Sequence, residues 1–151
     1  MADGRGTSFN EQQLALYLDE YYERADLIFR FGALLTLSRE GGERMVDETF
    51  RLLIEDFPNI KTNSKPTMIL MTLAWSAWKK ISHEKFHESN TPIFQSMKRL
   101  AVNQRAILFA VELAGLSLRD VSKAFGIADE KDVRNELADA NQFLAINEIR
   151  T

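Results

Sequence analysis

The chain contains no cysteine. Disulfides, thiol nucleophiles and cysteine-ligated zinc are thereby excluded, and the composition suits a reducing compartment such as the cytoplasm. Histidine is almost absent. His83 and His87 are the only two, so a metal site built from three histidines cannot form. Proline is scarce too: Pro58 closes a helical segment, Pro66 opens the next, and Pro92 ends a polar stretch. No apolar run reaches the length of a membrane span. Met1 to Ser8 is short, polar and glycine-containing, without the apolar segment of a signal peptide. Excess positive charge is also lacking. The formal net charge is −3, which excludes a globally basic nucleic-acid binder and shifts attention to local charge. No glycine-rich phosphate loop or nucleophile elbow occurs, so neither an enzyme nor a cofactor is expected.

What is present is helical. With 151 residues, 45% of them hydrophobic, the chain is large enough for one domain or two small ones. No strand alternation, internal repeat or low-complexity tract interrupts it. The fold class expected is all-α, in two small helical units. Ser8-Phe9-Asn10-Glu11 has the capping-box form. Leu14, Tyr17, Leu18, Tyr21, Ala25, Ile28 and Phe29 then predict a long helix from about Glu11 to Ser38, with Gly41-Gly42 ending or interrupting it. Val46, Phe50, Leu53 and Phe57 form the stripe of a second helix. A strongly apolar helix follows from Pro66 to about Ile81, and Lys79 and Lys80 complement its C-terminal dipole. Residues 83–95 read as a linker between a helical unit at 8–82 and a second unit at 96–151.

The second unit reads as three helices, the last two forming a helix-turn-helix broken at Gly126-Ile127. Val121 and Phe125 lie four apart. Val133, Leu137, Ala140 and Leu144 follow the spacing of one buried stripe. In such a motif one helix braces the unit while the next presents its polar face to a groove or a partner.

Several stretches resemble bacterial RNA polymerase sigma factors, in particular the extracytoplasmic-function (ECF) group. Leu100-Ala101-Val102-Asn103-Gln104-Arg105-Ala106-Ile107-Leu108 looks like the family's Leu-Pro-x-x-Gln-Arg-x-Val-Leu opening, with Ala101 in place of proline. Gly115-Leu116-Ser117 and the spacing of Val133, Arg134, Leu137, Ala140 and Leu144 match the promoter-reading region. Met45-Val46-Asp47-Glu48-Thr49-Phe50 looks like the family's Asp-Leu-Val-Gln-Glu-Thr-Phe motif, and Pro66 to Ser76 resembles the helix after it. The likeness runs from about Tyr17 to Leu144. It implies a protein that binds RNA polymerase core through Asp47, Glu48, Phe50 and Arg51. It also implies that Ser117, Arg119, Lys131 and Arg134, with Lys79 and Lys80, face promoter DNA and direct or modulate promoter recognition.

The departures suggest a second reading. Ala74-Trp75-Ser76 stands where the family has Ala-Arg-Asn. Glu136, Asp139 and Asn141 occupy positions where arginine or lysine is common. From Met97 to Thr151 acidic and basic residues are equal in number. Phosphate neutralisation by several cations is what DNA affinity normally rests on. A diverged sigma mimic, acting through an anti-sigma factor or through self-association, fits that charge pattern. No acid occurs from Pro58 to His83, where Lys61, Lys65, Lys79 and Lys80 lie. There Trp75 and Trp78 either stack on an unpaired base or, as periodicity favours, pack in the core. His83-Glu84-Lys85-Phe86-His87 satisfies the His-Glu-x-x-His spacing of zinc hydrolases. It sits in the polar linker, where a chance match is the favoured explanation and a zinc hydrolase a remote alternative.

Overall fold

The structure is a computed structural model that describes residues 11–60 and 65–150. It is all-α, with no strand among the described residues. The helices are α1 (Glu11–Tyr22), α2 (Ala25–Thr36), α3 (Arg39–Asp56), α4 (Pro66–Ile81), α5 (Pro92–Met97), α6 (Val102–Glu112), α7 (Leu118–Phe125) and α8 (Glu130–Arg150). A single 3-10 turn, Phe57–Asn59, follows α3. Ser8, the expected cap of the first helix, and Lys61 lie outside the described residues.

The long first helix read from the sequence is two helices. The chain turns at Glu23-Arg24, where the Arg24 carbonyl accepts from the amides of Leu27 and Ile28. Tyr21 before the turn and Ile28 after it are both fully buried. Apolar spacing continues through the bend, so periodicity alone did not reveal it. Arg24 Nε reaches across to Thr67 Oγ1 at 3.1 Å and ties the turn to the start of α4.

The glycine pair also has a different role from the one expected. The chain reverses earlier, at Leu37, which takes the left-handed conformation (φ 56°), and at the extended Ser38. Gly41 and Gly42 lie inside the first turn of α3. There they let α3 press against α2: a Cβ on Gly41 would sit 1.8 Å from Thr36 Oγ1, and one on Gly42 would sit 2.7 Å from the Phe29 carbonyl oxygen. The constraint is close approach between helices rather than a turn.

Pro66 occupies the first turn of α4, where its missing N–H costs nothing. Ser117 caps α7 by accepting from the Asp120 amide at 3.0 Å, and Gly126 (φ 67°) ends it. The Asp129 carboxylate accepts from the Lys131 amide at 2.9 Å at the start of α8.

One apolar core runs through both halves. It joins Tyr21, Ile28, Phe31, Met45, Leu53, Leu70 and Met71 to Ile107, Phe109, Val121, Phe125 and Val133. Phe31 of α2 meets Phe109 of α6 at 5.2 Å between ring centroids and Phe125 of α7 at 6.1 Å. A smaller cluster of Leu100, Leu108 and Ala140 lies under α8. The segment between α4 and α5 is irregular but tied down. The Ser89 amide donates to the Leu37 carbonyl at 2.8 Å, and Arg44 grips both carboxylate oxygens of Glu84 at 3.1 Å.

Candidate functional site

The residues proposed from the resemblance for polymerase contact share α3 but not one exposure. Asp47 and Arg51 are exposed. Glu48 points inward, its side chain 7% exposed, paired with Arg51 and lying 3.5 Å from Arg44. Phe50 is buried, its ring 5.2 Å from that of Tyr22. Arg51 also pairs with Glu55 one turn on. The Glu84 carboxylate raises the Arg44 pKa above its ordinary value through their hydrogen bond, against a smaller opposing effect of burial. Of the four residues proposed for polymerase contact, only Asp47 and Arg51 face outward. Glu48 lies beneath Arg44 and Arg51 and pairs with both. The i, i+3 and i, i+4 spacing of Arg44, Glu48 and Arg51 was the available sequence signal.

The proposed DNA-facing cations come from three helices. Arg119 is in the first turn of α7, Lys131 and Arg134 are in the first turns of α8, and Lys79 and Lys80 are in the last turn of α4. All five are exposed, and none has an ion-pair partner among the described residues. Ser117 is exposed, and its hydroxyl serves the α7 cap. The acids of α8 divide by direction. Asp139 is exposed, whereas Glu136 is half-buried and turns toward α4. With Asp132 it lines a cleft of about 220 Å³ whose apolar walls are Trp75, Ile107, Phe125 and Ile127, with Asn103 beside them.

Trp75 settles against the core. Its ring lies 4.7 Å from that of Phe125, an α4-to-α7 contact across the two halves, and Trp78 packs beside the same core. A second tie between the halves is Arg105 of α6, 5% exposed. Its Nη1 donates to the carbonyls of Leu100 at 2.8 Å and Met97 at 3.3 Å, and its Nη2 donates to Leu35 in the last turn of α2 at 2.9 Å. Burial lowers its pKa from the ordinary arginine value, partly offset by the field of Glu88. The sequence identified Arg105 only as part of a motif; nothing in its spacing marked it as inward-facing.

His83 and His87 lie in the irregular segment after α4. The two-histidine helical face of a zinc peptidase does not form, and Glu84, the residue that would activate water, is held by Arg44. Among the described residues no three His, Cys, Asp or Glu side chains converge in a metal-binding group. None of the described helices is long and apolar enough to cross a membrane.

The helical order and packing define a sigma-factor-like fold. A similar solved structure is that of the sigma factor RpoE in complex with the anti-sigma factor NepR from Bartonella quintana, with a TM-score of 0.70. The match covers 85% of this chain and 93% of that one at 14% sequence identity, so the likeness is one of fold. No family model and no curated protein matches the chain.

Proposed function

We propose that this chain is a sigma-factor-like transcription regulator of the cytoplasm that acts chiefly through protein contacts. The observation that carries this reading is the acidic character of α8 in a molecule whose halves share one core. Glu136 faces the cleft against α4, Asp139 and Asp132 are exposed, and Arg134 and Lys131 stand among these acids. A phosphate backbone would meet as much repulsion as attraction there. A protein partner of the anti-sigma kind suits the surface better, and the similar fold was solved with a partner of that name. In this reading residues 8–82 are the core-binding-like unit, 83–95 the linker and 96–151 the promoter-reading-like unit.

A second reading, direction of polymerase core to a promoter, draws on the free cations Arg119, Lys131 and Arg134. Asp47 and Arg51 would then meet the polymerase core.

The deciding experiment combines a pull-down from native lysate with in vitro transcription by reconstituted polymerase. The protein-contact reading expects a sigma-regulating protein or core polymerase to be retained, with no salt-sensitive promoter binding by the chain. Promoter-specific initiation at the level of a basic sigma factor would overturn it in favour of the second reading. Retention of neither partner, with transcription unchanged, would remove both.

A further inference from the structure

The cleft between α4 and α8 has a chemistry that promoter reading does not use. Its walls are Trp75, Ile107, Phe125 and Ile127, and its polar groups are the carboxylates of Asp132 and Glu136 and the amide of Asn103. Neither carboxylate has an ion-pair partner among the described residues. A neutral apolar ligand would cover them without compensation, and an anion would be repelled. A cation with an apolar body satisfies both parts. Its head meets the two acids, and its body lies against the apolar lining beside Trp75.

The exposed large apolar side chains Leu16, Tyr22, Ile54, Ile93 and Leu113 all lie outside the cleft lining, so apolar contact does not extend from it as a groove for a helix. We propose that the cleft is a binding site for a compact organic cation, an ammonium or guanidinium on a short apolar or aromatic body. Trp75 comes from before the linker, and the other lining residues come from after it. An occupant therefore touches both halves. The site needs no protein partner, so its test is separate from that of the proposed function.

The full chain is titrated with phenethylamine and, separately, with agmatine. Tryptophan fluorescence and thermal melting are followed. Saturable binding of at least one amine is expected, with a rise in melting temperature. Affinity should fall by about tenfold in the Asp132→Asn, Glu136→Gln double variant, because the charge-assisted contacts are lost. Circular dichroism of that variant without ligand shows whether its fold is kept. If it is not, Asp132→Asn alone, at an exposed side chain, carries the comparison with a smaller expected loss. The assignment is overturned if neither amine saturates, if neutral 2-phenylethanol binds as tightly as phenethylamine, or if the variants bind as well as the parent. Tighter binding of an arginine-bearing peptide than of both amines overturns it as well, because the occupant would then be a polypeptide.

Discussion

Replacing Arg105 with methionine should separate the two halves before it unfolds either. The guanidinium is buried without a carboxylate partner and is held by backbone carbonyls alone. The Leu35 carbonyl lies in the last turn of α2, where helix carbonyls lack intrahelical partners, and Arg105 serves as its cap from another helix. Methionine keeps most of the apolar stem and removes every donor. Hydrogen bonds from a charged donor contribute about 1.5–3 kcal/mol each, and a buried carbonyl left without a partner costs about 1–3 kcal/mol.

Against this, the buried charge itself is unfavourable by several kcal/mol, and removing it returns part of the loss. Nε is buried with no partner, so the site is already imperfectly satisfied. Two short bonds and one long one, less the relieved desolvation, leave a net destabilisation of about 2–4 kcal/mol. For a chain of this size that lowers the melting temperature by about 5–12 °C. Arg105→Lys keeps the charge but not the planar fork that serves carbonyls in different directions, so an intermediate loss is expected.

Urea unfolding of Arg105→Met should be followed by far-ultraviolet circular dichroism and by tryptophan fluorescence. Trp75 packs against Phe125 across the junction, so fluorescence reports the opening of the halves while dichroism reports helix content. The expected result is a fluorescence transition at lower urea than the dichroism transition. Stability within about 0.5 kcal/mol of the parent, with the two transitions coincident, would refute the idea that these hydrogen bonds hold the halves together.

Three further predictions rest on separate contacts. Gly41→Ala should destabilise the chain by about 1–3 kcal/mol in urea melts, although alanine is the better helix former by about 1 kcal/mol, because the added Cβ meets Thr36. A stabilised variant would show that α2 and α3 can move apart freely. Trp75→Ala should cost about 2–3 kcal/mol by the same measurement, less than for a fully buried tryptophan because the ring is partly exposed. A neutral result would remove Trp75 from the list of contacts that close the halves. Asp139→Arg should raise non-specific DNA affinity and steepen its salt dependence by about 0.9 in log–log slope if one phosphate contact is gained. Glu136→Arg should add less because that side chain lines the cleft, and equal gains from the two, read by fluorescence anisotropy, would show that Glu136 also faces outward.

Much of the helix content was legible from spacing. Phe50, Leu53 and Phe57 are buried as their stripe implied, and so are Val121, Phe125, Val133 and Ala140. Spacing was blind wherever the deciding contact came from another helix. The turn at Glu23-Arg24 keeps the apolar rhythm, so it left no mark in the sequence. Gly41 and Gly42 resembled a helix stop because their role depends on how near α2 lies. Arg105 and Glu48 are charged residues of the kind usually solvated, and their burial follows from partners 70 residues away in one case and one turn away in the other.

Glu136 is the instructive middle case. It lies three residues after the buried Val133 and four before the buried Ala140, which places it at the edge of the inward stripe, whereas Asp139 precedes Ala140 on the open side. Two acids that look equivalent as losses of positive charge therefore do different things. Asp139 weakens whatever phosphate contact α8 could make. Glu136 takes little part in that surface and instead gives the cleft beside Trp75 and Phe125 its charge. The acids of α8 are therefore not one surface, because Asp139 stands on the open side while Glu136, with Asp132, lines the cleft beside Trp75.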